Sequence, residues 1–221
     1  SQTPTPGSSS LLLDTLIFLG DLRGAAEEAL RQGLQATAAW CLLEAGDTSG
    51  ALELLAGVDE PEALLLKAKI YLRQLRAPEA LEALEQAPPS PKRDTLLVLA
   101  YILKGHPEFA FGADSALAAE AWSRFPALYS AETARRLSLL PGAGHFYVGE
   151  PLRGLWASAL VGGTLGYMVY AGVKKRYLDL VLVWQFLFNR FYAGAGANAQ
   201  AIAKEKNREA LRKWLGEFLG S

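Results

Sequence analysis

Residues 139–154 read LLPGAGHFYVGEPLRG, with four glycines and two prolines in sixteen positions. This stretch is the seam of the chain. Before it runs a polar, acidic half, and after it a basic, oily one. Up to residue 130 there are 10 Lys and Arg against 17 Asp and Glu, and from 131 onward 12 against 6, so the overall formal charge of −1 hides a front at −7 and a back at +6. Hydrophobic residues make up 51% of the 221, and the excess falls largely after Leu152. A basic, oily, glycine-rich segment is what a surface facing anionic lipid looks like, and a basic protein-binding surface reads the same way. The first ten residues, SQTPTPGSSS, read as a flexible leader without an apolar core, which fits either a trimmed chain or one whose signal peptide has been removed.

From Leu11 to about Phe125 the apolar residues recur at helical spacing, and so do the interruptions. Residues 18–30 (FLGDLRGAAEEAL), 44–56 (EAGDTSGALELLA), 72–84 (LRQLRAPEALEAL) and, more loosely, 103–115 (LKGHPEFAFGADS) each carry a break followed by a new helix. Each new helix carries an alanine, at Ala25, Ala51, Ala80 and Ala110, spaced 26, 29 and 30 residues apart. Small residues there let two helices approach closely, and the Gly-Asp pairs at 20–21 and 46–47 supply a C-cap and an N-cap in succession. This region is similar to tetratricopeptide repeats, though shorter and irregular. Such a solenoid usually offers a concave face to a protein partner; a mere spacer is the plainer reading.

Residues 152–173, LRGLWASALVGGTLGYMVYAGV, carry one charge, Arg153, over 22 positions, enough as a helix for roughly 30 Å of hydrocarbon. Ser158, Gly162 and Gly166 recur every four residues, the small-residue pattern by which membrane helices pack. The basic turn Lys174, Lys175 and Arg176 follows, and then a second oily stretch, 178–197, holding Asp179, Gln185, Asn189 and Arg190. Gln185 and Asn189 head a stripe expected to dock on the Ser158, Gly162 and Gly166 face. Arg190 either snorkels to the interface or meets a polar partner. The positive-inside rule puts the turn at 174–176 in the cytoplasm and the repeats on the other side. Residues 198–221 predict a basic amphipathic helix whose Leu211, Trp214, Leu215, Phe218 and Leu219 lie on one face, suited to a membrane surface or to capping the repeats. In the seam, Pro141 and the glycines at 142, 144 and 149 turn the chain, with Phe146 and Tyr147 expected at headgroup level.

Pro141, Gly142, Gly144, Tyr147 and Gly149, followed by Gly154 and an oily helix, resemble the PGxGxxYxG signature of bacterial TM2-like membrane proteins. Residues 191–210 (FYAGAGANAQAIAKEKNREA) resemble that family's second block, whose asparagine would be Asn207. The resemblance covers about residues 120–210. It departs at His145 and at Ala195-Gly196. It implies an inner-membrane protein of envelope assembly and brings no catalytic residue.

The fold expected is all-α: irregular tetratricopeptide-like hairpins over 11–130, a Pro/Gly-rich seam over 131–151, a transmembrane hairpin over 152–197 and the C-terminal helix. Two histidines, one cysteine and no nucleotide, hydrolase or zinc motif argue against catalysis, cofactors and metals. The basic clusters lack interleaved aromatics, so nucleic acid is not expected. The function expected is a non-enzymatic scaffold anchored in the bacterial inner membrane, its repeats extracytoplasmic and bound to a protein partner. The alternatives are a small homo-oligomeric transport or insertion component, with Arg190 lining a polar path, and a soluble helical binding module.

Overall fold

Fourteen α-helices and one π-helical turn account for the regular structure of residues 8–220, the residues that the computed structural model describes, and no strand occurs among them. Residues 1–7 of the expected leader lie outside the described residues, as does the side chain of Asn189. The chain divides into two units. One holds residues up to Phe125 together with Trp214–Ser221, the other Pro126–Lys213.

The first unit is a succession of paired helices: α1 (Ser8–Phe18) with α2 (Leu22–Arg31), α3 (Gln35–Glu44) with α4 (Thr48–Leu54), α5 (Pro61–Arg73) with α6 (Ala77–Gln86), and α7 (Pro91–Lys104) with α8 (Pro107–Ala113), then α9 (Ser115–Ser123). One geometry turns every pair. A residue in the left-handed region ends the first helix: Gly20 (φ 76°), Gly46 (φ 86°), Leu75 (φ 62°) and Gly105 (φ 87°). Five residues on, the second helix presents Ala25, Ala51, Ala80 or Ala110, all fully buried where the two helices meet. Asp21 and Asp47 cap their helices by accepting from the amides of Gly24 (3.0 Å) and Gly50 (2.8 Å). The helices α3, α5 and α7 pack against one another in sequence. The main core gathers Leu72, Leu84, Val98, Leu99 and Ile102, and smaller clusters under α1 to α5 continue it.

The second unit contains α10 (Ala131–Leu137), α11 (Ala143–Tyr147), α12 (Pro151–Val173) and α13 (Tyr177–Leu182), then the π turn Val183–Phe188 and the start of α14 (Asn189–Leu219). Its small core is Ala134, Val148, Ala199, Ile202 and Ala203. The second oily stretch and the expected C-terminal helix over 198–221 are thus one helical run, and its last turns belong to the first unit. There Trp214 and Leu215 are buried, the indole Nε1 of Trp214 donates to the carbonyl of Ala121 (3.0 Å), and its ring meets Phe125 edge-on at 5.2 Å. These turns close the core at α9. Among the described residues no helix is long and apolar enough to cross a membrane. Glycines, Thr164 and tyrosines dilute α12, and the π turn and Arg190 interrupt the second rod.

Candidate functional site

The seam glycines act through close approach. Gly142 has φ 82°, which a side chain rarely adopts, and a Cβ there would strike the carbonyl oxygen of Gly154 and the hydroxyl of Ser158. A Cβ on Gly144 would strike the Ser138 hydroxyl and the Ala134 carbonyl and reach 3.1 Å from Ala199 Cβ. On Gly154 it would meet the Phe146 ring at 2.8 Å. Ser158 Oγ lies 2.7 Å from the Pro141 carbonyl oxygen and 2.9 Å from that of Gly154, its one proton serving either. Gly149 takes φ 74°. The signature therefore locks α10, α11, α12 and the start of α14 together.

Tyr147 is part of this lock. Its Oη accepts from the Ser130 amide (3.0 Å), and its ring stands edge-on to Tyr129 at 5.7 Å. Phe146 is the exposed aromatic of the pair. Asn207 belongs to the lock as well: Nδ2 donates to the Tyr129 carbonyl and Oδ1 accepts from the Tyr129 amide, both at 2.8 Å. Lys206 donates to the Val148 carbonyl (2.9 Å) and pairs with Glu150 (2.9 Å), and this contact holds the Glu150 carboxyl below the usual range.

The expected docking of the two oily rods through small residues is not what the chain does. Gly162 and Gly166 are exposed, and among the described residues nothing lies within 4 Å of a Cβ built on either. Ser158 is spent on the seam, and Gln185 is exposed on the π turn. The rods meet elsewhere. Lys174, Lys175 and Arg176 form an exposed turn with Lys175 at φ 57°, Arg176 pairs with Asp179 at 2.6 Å, and the Tyr167 hydroxyl lies 3.2 Å from the same carboxylate. A stacked ladder of Trp184, Phe188 and Tyr192 runs along the second rod and ends where Tyr192 Oη donates to the Leu139 carbonyl (3.0 Å).

Arg190 is exposed and lines a cleft of about 430 Å³ within the second unit, together with His145, Arg153, Trp156, Phe191 and Asn198. His145 is 2% exposed, and among the described residues its Nδ1 has no hydrogen-bond partner. Burial, and then the Arg153 charge, push its pKa below the usual imidazole value against a weaker pull from Glu150.

A second concavity lies on the first unit. Trp40 of α3, Leu65 and Lys69 of α5 and Lys92 of α7 line adjoining hollows of about 400 and 390 Å³, the latter floored by Phe218 and Leu219. Burial pushes Lys69 below its usual pKa, Arg73 adds to this and Glu44 opposes it. Leu65 with Lys69, and Lys92 with Leu96, are i, i+4 pairs on first helices of successive hairpins. That register was readable, but which face the repeats leave open was not. Cys41 is buried, and burial pushes its thiol pKa up, so it is a poor nucleophile. Among the described residues no cluster of three His, Cys, Asp or Glu side chains is placed for a metal ion. Comparison of the chain with family models, curated proteins and solved structures finds no match in any of the three.

Proposed function

We propose that the protein is a non-enzymatic, membrane-anchored scaffold: the α12–α13 hairpin and π turn lodge in the bacterial inner membrane, and the repeat unit binds a protein partner on the extracytoplasmic side. One observation carries the reading. Along α12, α13 and the π turn large apolar side chains stand open to solvent, among them Trp156 (71%), Val173 (76%), Leu178 (79%) and Phe186 (64%). A contiguous apolar surface of this kind is rarely left bare in a soluble monomer. The lone charged group near the middle of the second rod, Arg190, sits beside the seam, and the basic cluster sits at the opposite turn, so the belt between them is uncharged apart from Asp179.

On the repeat unit, Trp40 and the two lysines above an apolar floor suit an extended partner segment with acidic and apolar residues. The test is flotation of the full chain with phosphatidylcholine vesicles in the absence of detergent. Co-flotation is expected. A monodisperse chain that stays at the bottom of the gradient would overturn the anchor.

A further inference from the structure

The cleft beside the seam carries chemistry that a bare anchor does not need. Arg190 has no carboxylate within ion-pair distance among the described residues, and Arg153 has only Glu150 at 3.8 Å, a carboxylate already held at 2.9 Å by Lys206. Two guanidinium groups thus line one wall system with an uncancelled positive charge. Trp156, Leu160 and Phe191 supply the apolar part of the same cleft. The buried His145 ring packs against the same cleft.

We propose that this cleft binds one anionic phospholipid: Arg153 and Arg190 take the phosphate, and Trp156, Leu160 and Phe191 hold the first acyl carbons. Bidentate guanidinium groups match phosphate geometry, and the apolar wall favours an amphiphile over a free anion. Neither arginine is needed for the seam lock, which runs through Gly142, Gly144, Ser158 and Asn207. The site lies where α12 begins, the level at which a headgroup would meet a hairpin entering lipid.

The proposal rests on the membrane reading for the source of its ligand, so its test is run in neutral detergent, where anchoring plays no part. Native mass spectrometry of the full chain would compare 1:1 adducts of phosphatidylglycerol and phosphatidylcholine. We expect phosphatidylglycerol to be retained at about tenfold lower concentration, and R153Q and R190Q each to weaken it by about tenfold, while neutralising Lys174, Lys175 and Arg176 leaves it unchanged. Equal retention of the two lipids by the unaltered chain, or undiminished phosphatidylglycerol binding by R153Q/R190Q, overturns the site. Displacement of the lipid by inorganic phosphate at comparable concentration would make it a free-anion site and overturn the lipid assignment. Failure of flotation with neutral vesicles, by contrast, would remove the anchor and leave these detergent results standing.

Discussion

Asn207 holds both backbone polar groups of Tyr129, donating from Nδ2 to the carbonyl and accepting at Oδ1 from the amide, each at 2.8 Å and across 78 residues of chain. The carboxamide thereby imitates a strand partner for a segment that has none. Asn207→Ala removes both bonds and leaves two half-buried backbone groups unpaired, a loss of about 2–3 kcal/mol. Asn207→Asp keeps the acceptor but sets an oxygen against the Tyr129 carbonyl, so it is expected to fare no better than alanine. Urea denaturation of the two variants in detergent checks this; a loss under about 0.5 kcal/mol for either would show that the pair is ornamental.

Glycines that look alike in sequence are expected to part company under substitution. Gly142→Ala drives a Cβ into the Gly154 carbonyl and the Ser158 hydroxyl at a positive φ, and a loss of about 3 kcal/mol or more follows. Gly162→Ala and Gly166→Ala meet open space inside a helix, and each is expected to gain up to about 1 kcal/mol from helix propensity. Thermal unfolding followed by circular dichroism separates the two groups. A loss of stability in Gly162→Ala would overturn the open space at that face.

This contrast also marks what the sequence could and could not tell. Apolar spacing and glycine punctuation were enough for an all-helical chain, because helical hairpins are local. The stripe of Ser158, Gly162 and Gly166 suggested a packing face, yet small residues every four positions say only that close approach is permitted, not which partner takes it. The partner is the seam for Ser158, and among the described residues there is none for the two glycines. The π turn at 183–188 left no trace in the apolar pattern, since it changes hydrogen-bond register rather than burial. In the sequence only the resemblance of residues 191–210 marks Asn207, and its hold on Tyr129 is a long-range contact that no local pattern encodes. The cleft needed three helices brought together before His145, Arg153 and Arg190 shared a wall.

The hairpin turns of the repeat unit offer a second internal comparison. The left-handed residue and the buried alanine five positions later recur four times, and only Leu75 fills the first place with a side chain. Gly46→Ala has room for its Cβ, so its loss of about 1 kcal/mol is purely the strain of φ 86°. Ala51→Leu, at a fully buried position between α3 and α4, must push the helices apart and is expected to lose about 3 kcal/mol. Leu75→Gly should come out near zero, because relief of backbone strain is offset by lost packing of a half-buried leucine. Urea titration of the three variants orders them, and a large loss for Leu75→Gly would mean that packing outweighs strain at this turn.

His145 gives the fold a pH dependence of known sign. Its pKa in the folded chain lies below the usual value through burial and the Arg153 charge, with Glu150 opposing. Above about pH 7 the imidazole is neutral in both states and contributes nothing to the slope. As pH falls through about 6.5 the unfolded chain takes up the proton first, so stability drops until the folded pKa is passed. Urea midpoints between pH 5 and 8 are expected to decline toward acid, and His145→Gln should flatten that decline. Glu150 does not intrude, because its pKa is depressed by Lys206 and its own loss falls at lower pH.

The last turns of α14 are expected to be indispensable to the repeat unit. Trp214 is 3% exposed, its indole nitrogen serves the Ala121 carbonyl at 3.0 Å, and its ring fills the space between Phe125 and Phe218. Trp214→Ala leaves a cavity and an unpaired carbonyl together, a loss of about 4 kcal/mol. Trp214→Phe restores most of the volume without the donor, and its loss of about 1–2 kcal/mol would isolate the hydrogen bond. Hydrogen exchange read at α9 distinguishes this capping role from one at a lipid surface. Capping predicts faster exchange at residues 115–123 in the alanine variant whether or not lipid is present, whereas a lipid-bound tail would leave α9 protected in both.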